Sequence, residues 1–450
     1  MSEPPSFGEQ ARRSFAAGLL KRRMAAAQNR EETEDRIPLG DASLLKQAEI
    51  IRRVAASLDI GNPFFRTQEG LANAESMIGG RVHDNFASYN YLGLNGHPEI
   101  AEAAQRAIAT YGTSVSASRL ASGERPIHHA LEGALAEIYR TEACLTFVSG
   151  HATNVTVLGI LVDRSDIILH DALIHNSVVQ GAQLSGARRV SFAHNDPADL
   201  ERQLIQLKGK GRRVLVVIEG HYSMDGDIPD LREFSAVTRR HKAWLMVDEA
   251  HSLGVLGERG FGLAEHAGID PGVVDIWMGT LSKTLASCGG YIAASSQIVE
   301  YLRYMAPGFV FSVGLAPPLA AAALAALQMM QREPARVTRL RANGAAFLNA
   351  AKANGLQTGF SAGVAIVPVM VGSSIRAAML SQQLLAAGIN VQPILYPAVA
   401  DGSARLRFFL SSEHQEDRIR HAATETATAI CNAGKLDYRA LMSKVAGWEG

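Results

Sequence analysis

The sequence predicts an α/β protein: a large, mostly parallel sheet with helices on both faces, followed by a smaller α+β domain. Three observations carry this prediction. Short β-branched runs alternate with helix-length segments from about residue 85 to 330, the spacing changes after about 330, and 450 residues suffice for one large α/β domain with a smaller companion. The expected boundaries are an N-terminal arm over 1–75, the large domain over 76–330 and the small domain over 331–450.

The arm is set apart by charge. Arg12, Arg13, Lys21, Arg22, Arg23 and Arg30 form a basic block with no acid within it until Glu31. The plainer account is a solvated helix lying over a dimer partner. The alternative is a docking surface for an acidic carrier protein, or a peripheral contact with an anionic membrane.

Within the large domain the candidate strands are Cys144 to Val148, Ile167 to His170, Arg213 to Ile218, Trp244 to Val247, Ile276 to Met278 and Tyr291 to Ala294. Alternation of this kind implies parallel strands, and ligands in such sheets collect beyond the strands' carboxyl ends. In the small domain Gly363 to Val371, Ile389 to Leu395 and Arg405 to Leu410 read as strands, with a helix near Arg376 to Ala387. The most apolar stretch, Leu315 to Met330, opens with Pro317-Pro318 and is shorter than the roughly 20 residues that span a bilayer, so it reads as a core helix.

Composition narrows the function. Lys plus Arg and Asp plus Glu stand at 44 each, so no overall basic field is available to hold a nucleic acid. The three cysteines, Cys144, Cys288 and Cys431, are too few and too scattered for a disulfide framework or a zinc site, and no metal is expected. The first residues lack the charged-then-apolar order of a secretory signal, so the expected location is the cytoplasm.

Residues able to carry chemistry fall just after the candidate strands. Lys283, in GTLSK (279–283), follows an apolar strand that lowers its pKa and suits it to form a Schiff base, while the hydroxyls of Thr280 and Ser282 suit a phosphate. Alone, the run also fits a surface lysine after a strand. Asp248 ends WLMVD, where an acid is costly to bury without a charged partner such as a pyridinium nitrogen. His251 lies in the same turn, although VDEAH by itself equally fits a metal pair or a helix cap. Ser149, Gly150 and His151 stand between a strand and the helix expected from near Asn154, where backbone amides bind phosphate. His175, in LHDALIHNS, can stack on a pyridine ring or serve as an ordinary structural histidine.

Six motifs occur in one chain order: FASYNYLGL (86–94), SRLASGERPIHHALE (118–132), HDALIHNS (170–177), EGHYSMDGD (219–227), VDEAHS (247–252) and GTLSK. From about residue 60 to the end the chain resembles the α-oxoamine synthase family. The resemblance implies the aspartate-aminotransferase-like fold (fold type I), pyridoxal 5'-phosphate (PLP) as cofactor, and decarboxylative condensation of an amino acid with an acyl thioester on CoA or a carrier protein. It makes Lys283 the Schiff-base lysine and proton-transfer base, Asp248 the partner of the ring nitrogen and His175 the stacking residue. By the same resemblance His251 and Ser223 would hydrogen-bond the phenolic oxygen side of the cofactor. Gly150, His151 and Thr280 would surround the phosphate, with Ser312 reaching it from the other subunit of the homodimer that the resemblance implies. Arg407, in RLRFFLS, would bind the amino-acid carboxylate, as a bidentate arginine suits, and Asn90 would contact substrate.

The expected substrates are L-serine and a fatty acyl thioester, giving 3-ketosphinganine as in serine palmitoyltransferase, because the Tyr-Asn-Tyr-Leu-Gly run and the long arm resemble lipid-linked members. The alternatives are alanine with a pimeloyl thioester, as in 8-amino-7-oxononanoate synthase, and glycine with a short acyl-CoA. An aminotransferase and a non-catalytic partner subunit are the rival readings. The glycine order of GERGFG (257–262) does not fit a dinucleotide turn.

Overall fold

In the computed structural model, residues 62–433 are described. The basic block of the arm lies outside them.

Strands β1 (Glu75–Ile78) and β2 (Arg81–Asn85) precede the main sheet. That sheet comprises β3 (Ala143–Phe147), β4 (Ile167–Asp171), β5 (Arg188–Phe192), β6 (Val214–Glu219), β7 (Trp244–Asp248), β8 (Ile276–Thr280) and β9 (Gly290–Ala294). Their spatial order is β3-β9-β8-β7-β6-β4-β5. All neighbours pair in parallel except those of β9, which runs antiparallel to both β3 and β8.

The apolar runs build two cores because successive side chains leave opposite faces of a strand. In β6, Val216 and Ile218 join one core while Leu215 and Val217 join the other. Leu245 and Val247 of β7 are likewise divided from Met246, and Trp277 of β8 from Ile276 and Met278. A strand buried on both faces must be apolar throughout, which is why these strands were readable. The polar edge strand β5 lacks that apolar pattern. Its RRVSF is mostly exposed, and Arg188 and Arg189 discourage pairing with another chain.

The run from Leu315 lies in the helix Pro317–Arg332, which has proline in its first turn and ten buried residues. No helix among the described residues is long and apolar enough to cross a membrane.

The second part contains β10 (Ile366–Gly372), β11 (Ile389–Asn390), β12 (Gln392–Ile394) and β13 (Ala404–Phe409). The antiparallel sheet β10-β13-β12 carries Arg405 and Arg407 on its central strand. A second small sheet, β1-β2-β11, joins residues 81–85 in parallel to Ile389 and Asn390.

Candidate active site

Beyond the carboxyl ends of β6, β7 and β8 lies a cavity of about 240 Å³. Ser149, Gly150, His151, His175, Ser223, Asp248, His251, Thr280, Ser282 and Lys283 all line it, as do Asn154, Ser177, Glu219 and Cys288. Ten residues named from sequence thus share one site.

At one end stands the helix Gly150–Leu161, whose first turn begins four residues earlier than the sequence suggested. Ser149 is its N-cap, so Gly150 and His151 present the unpaired amides of the helix start. A Cβ on Gly150 would lie 2.8 Å from Thr280 Oγ1, so only glycine permits this approach. Thr280 Oγ1 is 2.8 Å from Ser282 Oγ and donates to the Gly289 carbonyl at 3.0 Å.

At the other end is Asp248, the last residue of β7 and 5% exposed. Its Oδ1 accepts from the Ala250 amide at 3.0 Å, and its Oδ2 accepts from Asn154 Nδ2 at 2.9 Å. Asn154 Nδ2 also donates to Ser177 Oγ at 3.0 Å, and Ser177 Oγ lies 2.7 Å from His175 Nδ1. His151 approaches His175 edge-on, with ring centroids 6.4 Å apart.

Burial lowers the Lys283 amine to about 8, against the opposing charges of Asp248 and Glu219 and with help from Arg407. Its Nζ sits 5.7 Å from the centroid of the Tyr89 ring. His251 stacks on Phe409 at an interplanar angle of 7°, and its Nδ1 meets Tyr91 Oη at 2.6 Å. Burial, with Lys283 and Arg407 nearby, holds its imidazole well below the usual range, so it is neutral.

Glu219 ends β6 as Asp248 ends β7, and burial and the charge of Asp248 raise its carboxyl to about 8. One oxygen accepts from the Ser223 amide at 2.9 Å, while Oε1 is buried without a partner. An acid at the end of an apolar strand had singled out Asp248, and the same signal was present for Glu219. Asn154 and Ser177 carried no comparable signal, because a lone Asn or Ser near a helix start usually caps it.

Arg407 does not line the cavity but is 8% exposed beside it. Its Nη1 donates to the Ser223 carbonyl at 2.8 Å, and its Nε is buried with no partner. Asn90 and Ser312 are not among the cavity's lining residues. The Asn90 side chain donates to the Ala72 carbonyl and Asn73 Oδ1 and accepts from the Asn95 amide, so its polar atoms serve the fold. Ser312 hydrogen-bonds the Val313 carbonyl between exposed Phe311 and Val313.

These residues fit PLP. The Gly150 approach to Thr280 builds an anion cradle, Asp248 and Lys283 stand in one cavity, and Asn154 Oδ1, Glu219 Oε1 and Arg407 Nε are buried polar atoms left without partners.

Known proteins share the sequence pattern and fold of this chain. A family model described as aminotransferase class I and II matches residues 84–425. A protein named putative 8-amino-7-oxononanoate synthase from Desulforudis audaxviator is 42% identical over 354 residues, covering 79% of this chain and 91% of its own. The solved serine palmitoyltransferase of Sphingomonas wittichii superposes with a TM-score of 0.84 at 31% identity, over 88% of this chain and 99% of its own. An 8-amino-7-oxononanoate synthase structure from Francisella tularensis gives a TM-score of 0.66 at 25% identity, over 77% and 98%.

Proposed function

The chain belongs to the α-oxoamine synthase family of PLP-dependent acyltransferases, and from that premise we propose that it condenses L-alanine with a pimeloyl thioester, releasing the thiol, carbon dioxide and 8-amino-7-oxononanoate. Higher sequence identity to the relative of that name than to serine palmitoyltransferase supports alanine over serine. The two features that favoured serine carry less weight. Asn90 in the Tyr-Asn-Tyr-Leu-Gly run is held by Asn73, Ala72 and Asn95, and the basic arm lies outside the described residues.

The cofactor supplies an electron sink for the negative charge that develops at the amino acid's α-carbon. The buried, unpartnered Nε of Arg407 is the observation that carries the assignment of an amino acid as substrate, because it leaves a donor for the carboxylate that any amino acid brings. Lys283 takes the α-proton, and burial makes a neutral amine available near pH 8. The α-carbon then bonds to the thioester carbonyl carbon as the C–S bond breaks and the sulfur leaves as thiolate, protonated to the thiol. The carboxylate next leaves as carbon dioxide, and the electron pair left on the α-carbon takes up a proton, Lys283 being placed to return one. Of the residues lining the cavity, Asp248 would pair with the ring nitrogen, His175 would lie against the ring, and His251 with Ser223 would serve its phenolic oxygen. Ser312 reaches the phosphate of the second subunit in a homodimer.

Serine with a long acyl chain is the second reading, favoured by the TM-score of 0.84 to serine palmitoyltransferase. Purified protein with PLP is to be given alanine plus pimeloyl-CoA, or serine plus palmitoyl-CoA, and thiol release and product mass recorded. We expect thiol and 8-amino-7-oxononanoate from the first pair. A product only from the second pair would replace alanine by serine, and amino transfer without thiol release would remove the acyltransferase reading. Lys283→Ala is expected to abolish both turnover and the covalent cofactor label left by borohydride.

A further inference from the structure

We propose that Asn154 and Ser177 are positioning residues that hold His175 in the tautomer with hydrogen on Nε2 and tie that imidazole to Asp248. The geometry fixes each proton in turn. The Ser177 backbone amide, which can only donate, points at His175 Nδ1 at 3.3 Å. Nδ1 is therefore an acceptor. The Ser177 hydroxyl, 2.7 Å from the same nitrogen, consequently donates to it as well. That leaves the hydroxyl oxygen as acceptor, and Asn154 Nδ2 supplies its donor at 3.0 Å. The second hydrogen of the same Nδ2 goes to Asp248 Oδ2 at 2.9 Å.

One amide nitrogen thus orders two groups of the site. It sets one oxygen of Asp248, whose other oxygen is fixed by the Ala250 amide. Through Ser177 it also sets the imidazole. With both donors engaged on Nδ1, the hydrogen of the neutral ring belongs on Nε2, at the opposite edge of a side chain that lines the cavity. Burial favours the neutral ring by lowering its pKa against the charge of Asp248, and Lys283, His151 and Arg407 act in the same direction as burial.

A purely structural cap would use the Ser177 amide alone. Here the hydroxyl bond is the shorter of the two, and the cap continues through a buried asparagine to a buried acid. His175 thus presents a donor rather than an acceptor at Nε2, and the same two bonds fix the orientation of its ring.

The proposal rests on the PLP reading only for what the tautomer faces, and the tautomer itself is observable without turnover. The first measurement is long-range nitrogen–proton NMR on full-length protein with 15N-labelled histidine, with and without PLP. We expect His175 to show hydrogen on Nε2 and a bare, hydrogen-bonded Nδ1 in both forms; hydrogen on Nδ1 overturns the proposal whatever the substrate proves to be. The second uses Ser177→Ala, Ser177→Thr and Asn154→Ala. Loss of the hydroxyl is expected to move the Nδ1 resonance and lower kcat by about tenfold, the scale of one hydrogen bond, with KM changed less. Ser177→Thr should restore both. The double variant Asn154→Ala/Ser177→Ala should cost less than the product of the single effects, as members of one chain do. An unmoved resonance in Ser177→Ala, or strictly multiplicative effects, would overturn the chain of command from Asn154 to His175.

Discussion

Tyr91 Oη lies 2.6 Å from His251 Nδ1, joining residues 160 positions apart in the chain within a buried pair. Burial raises the Tyr91 hydroxyl well above its usual pKa and lowers that of the imidazole, so the phenol donates and His251 keeps its hydrogen on Nε2. Tyr91→Phe leaves a buried nitrogen unsatisfied, at a cost of about 1–3 kcal/mol. The thermal midpoint should fall and kcat should drop on the order of tenfold. Unchanged kcat and unchanged melting would show that the pair does not orient His251.

Lys283 and Glu219 are both placed near 8, and the charge of Glu219 supports the protonated form of the lysine. Glu219→Gln removes that anion, so the amine should lose its proton more easily. The acidic limb of the rate profile, which reports deprotonation of Lys283, is expected to move to lower pH. A limb that stays in place, or moves up, would disconnect Glu219 from Lys283.

Arg407 meets the Ser223 carbonyl through Nη1 and keeps Nε unpartnered. Lysine can replace its charge but not its forked donors. Arg407→Lys should raise KM for the amino acid about tenfold or more, with a smaller change in KM for the acyl thioester, as initial rates at varied concentrations would show. Equal changes for both substrates would argue against carboxylate binding here.

His194 lies 2.8 Å from Asp171 and 3.1 Å from Asp227. Burial opposes its charge, but the two carboxylates outweigh burial and raise it to about 10. The folded state therefore binds a proton that the unfolded chain releases near 6.5. The resulting stability is fully present below about pH 6.5 and is lost as pH rises towards 10. His194→Asn should flatten the fall of the thermal midpoint between pH 7 and 10 relative to the unsubstituted protein. The same slope in both would exclude His194 as its source.

The central strands were legible in the sequence because burial on both faces forces a continuous apolar run. β5 was not, since an edge strand such as RRVSF is free to be polar. Strands β1 and β2 escaped for a different reason: their short pairing is completed by Ile389 and Asn390, about 300 residues away, and no local pattern encodes that. The same division holds in the site. Asp248 and Lys283 could be found because charge after an apolar run is expensive, whereas Asn154 and Ser177 are defined by partners on other elements. Asn90 shows the converse, a residue selected by its motif whose polar atoms are engaged by neighbouring backbone and Asn73.

Two arginines of β13 grip one turn: Arg405 pairs with Asp225 at 2.6 Å, and Arg407 holds the Ser223 carbonyl. The strand proposed to read the substrate and the turn proposed to touch the cofactor are consequently one mechanical part. Altering β13 to accept a different amino acid will also retune the cofactor's surroundings, so redesign of selectivity has to treat Ser223, Asp225, Arg405 and Arg407 as a single module.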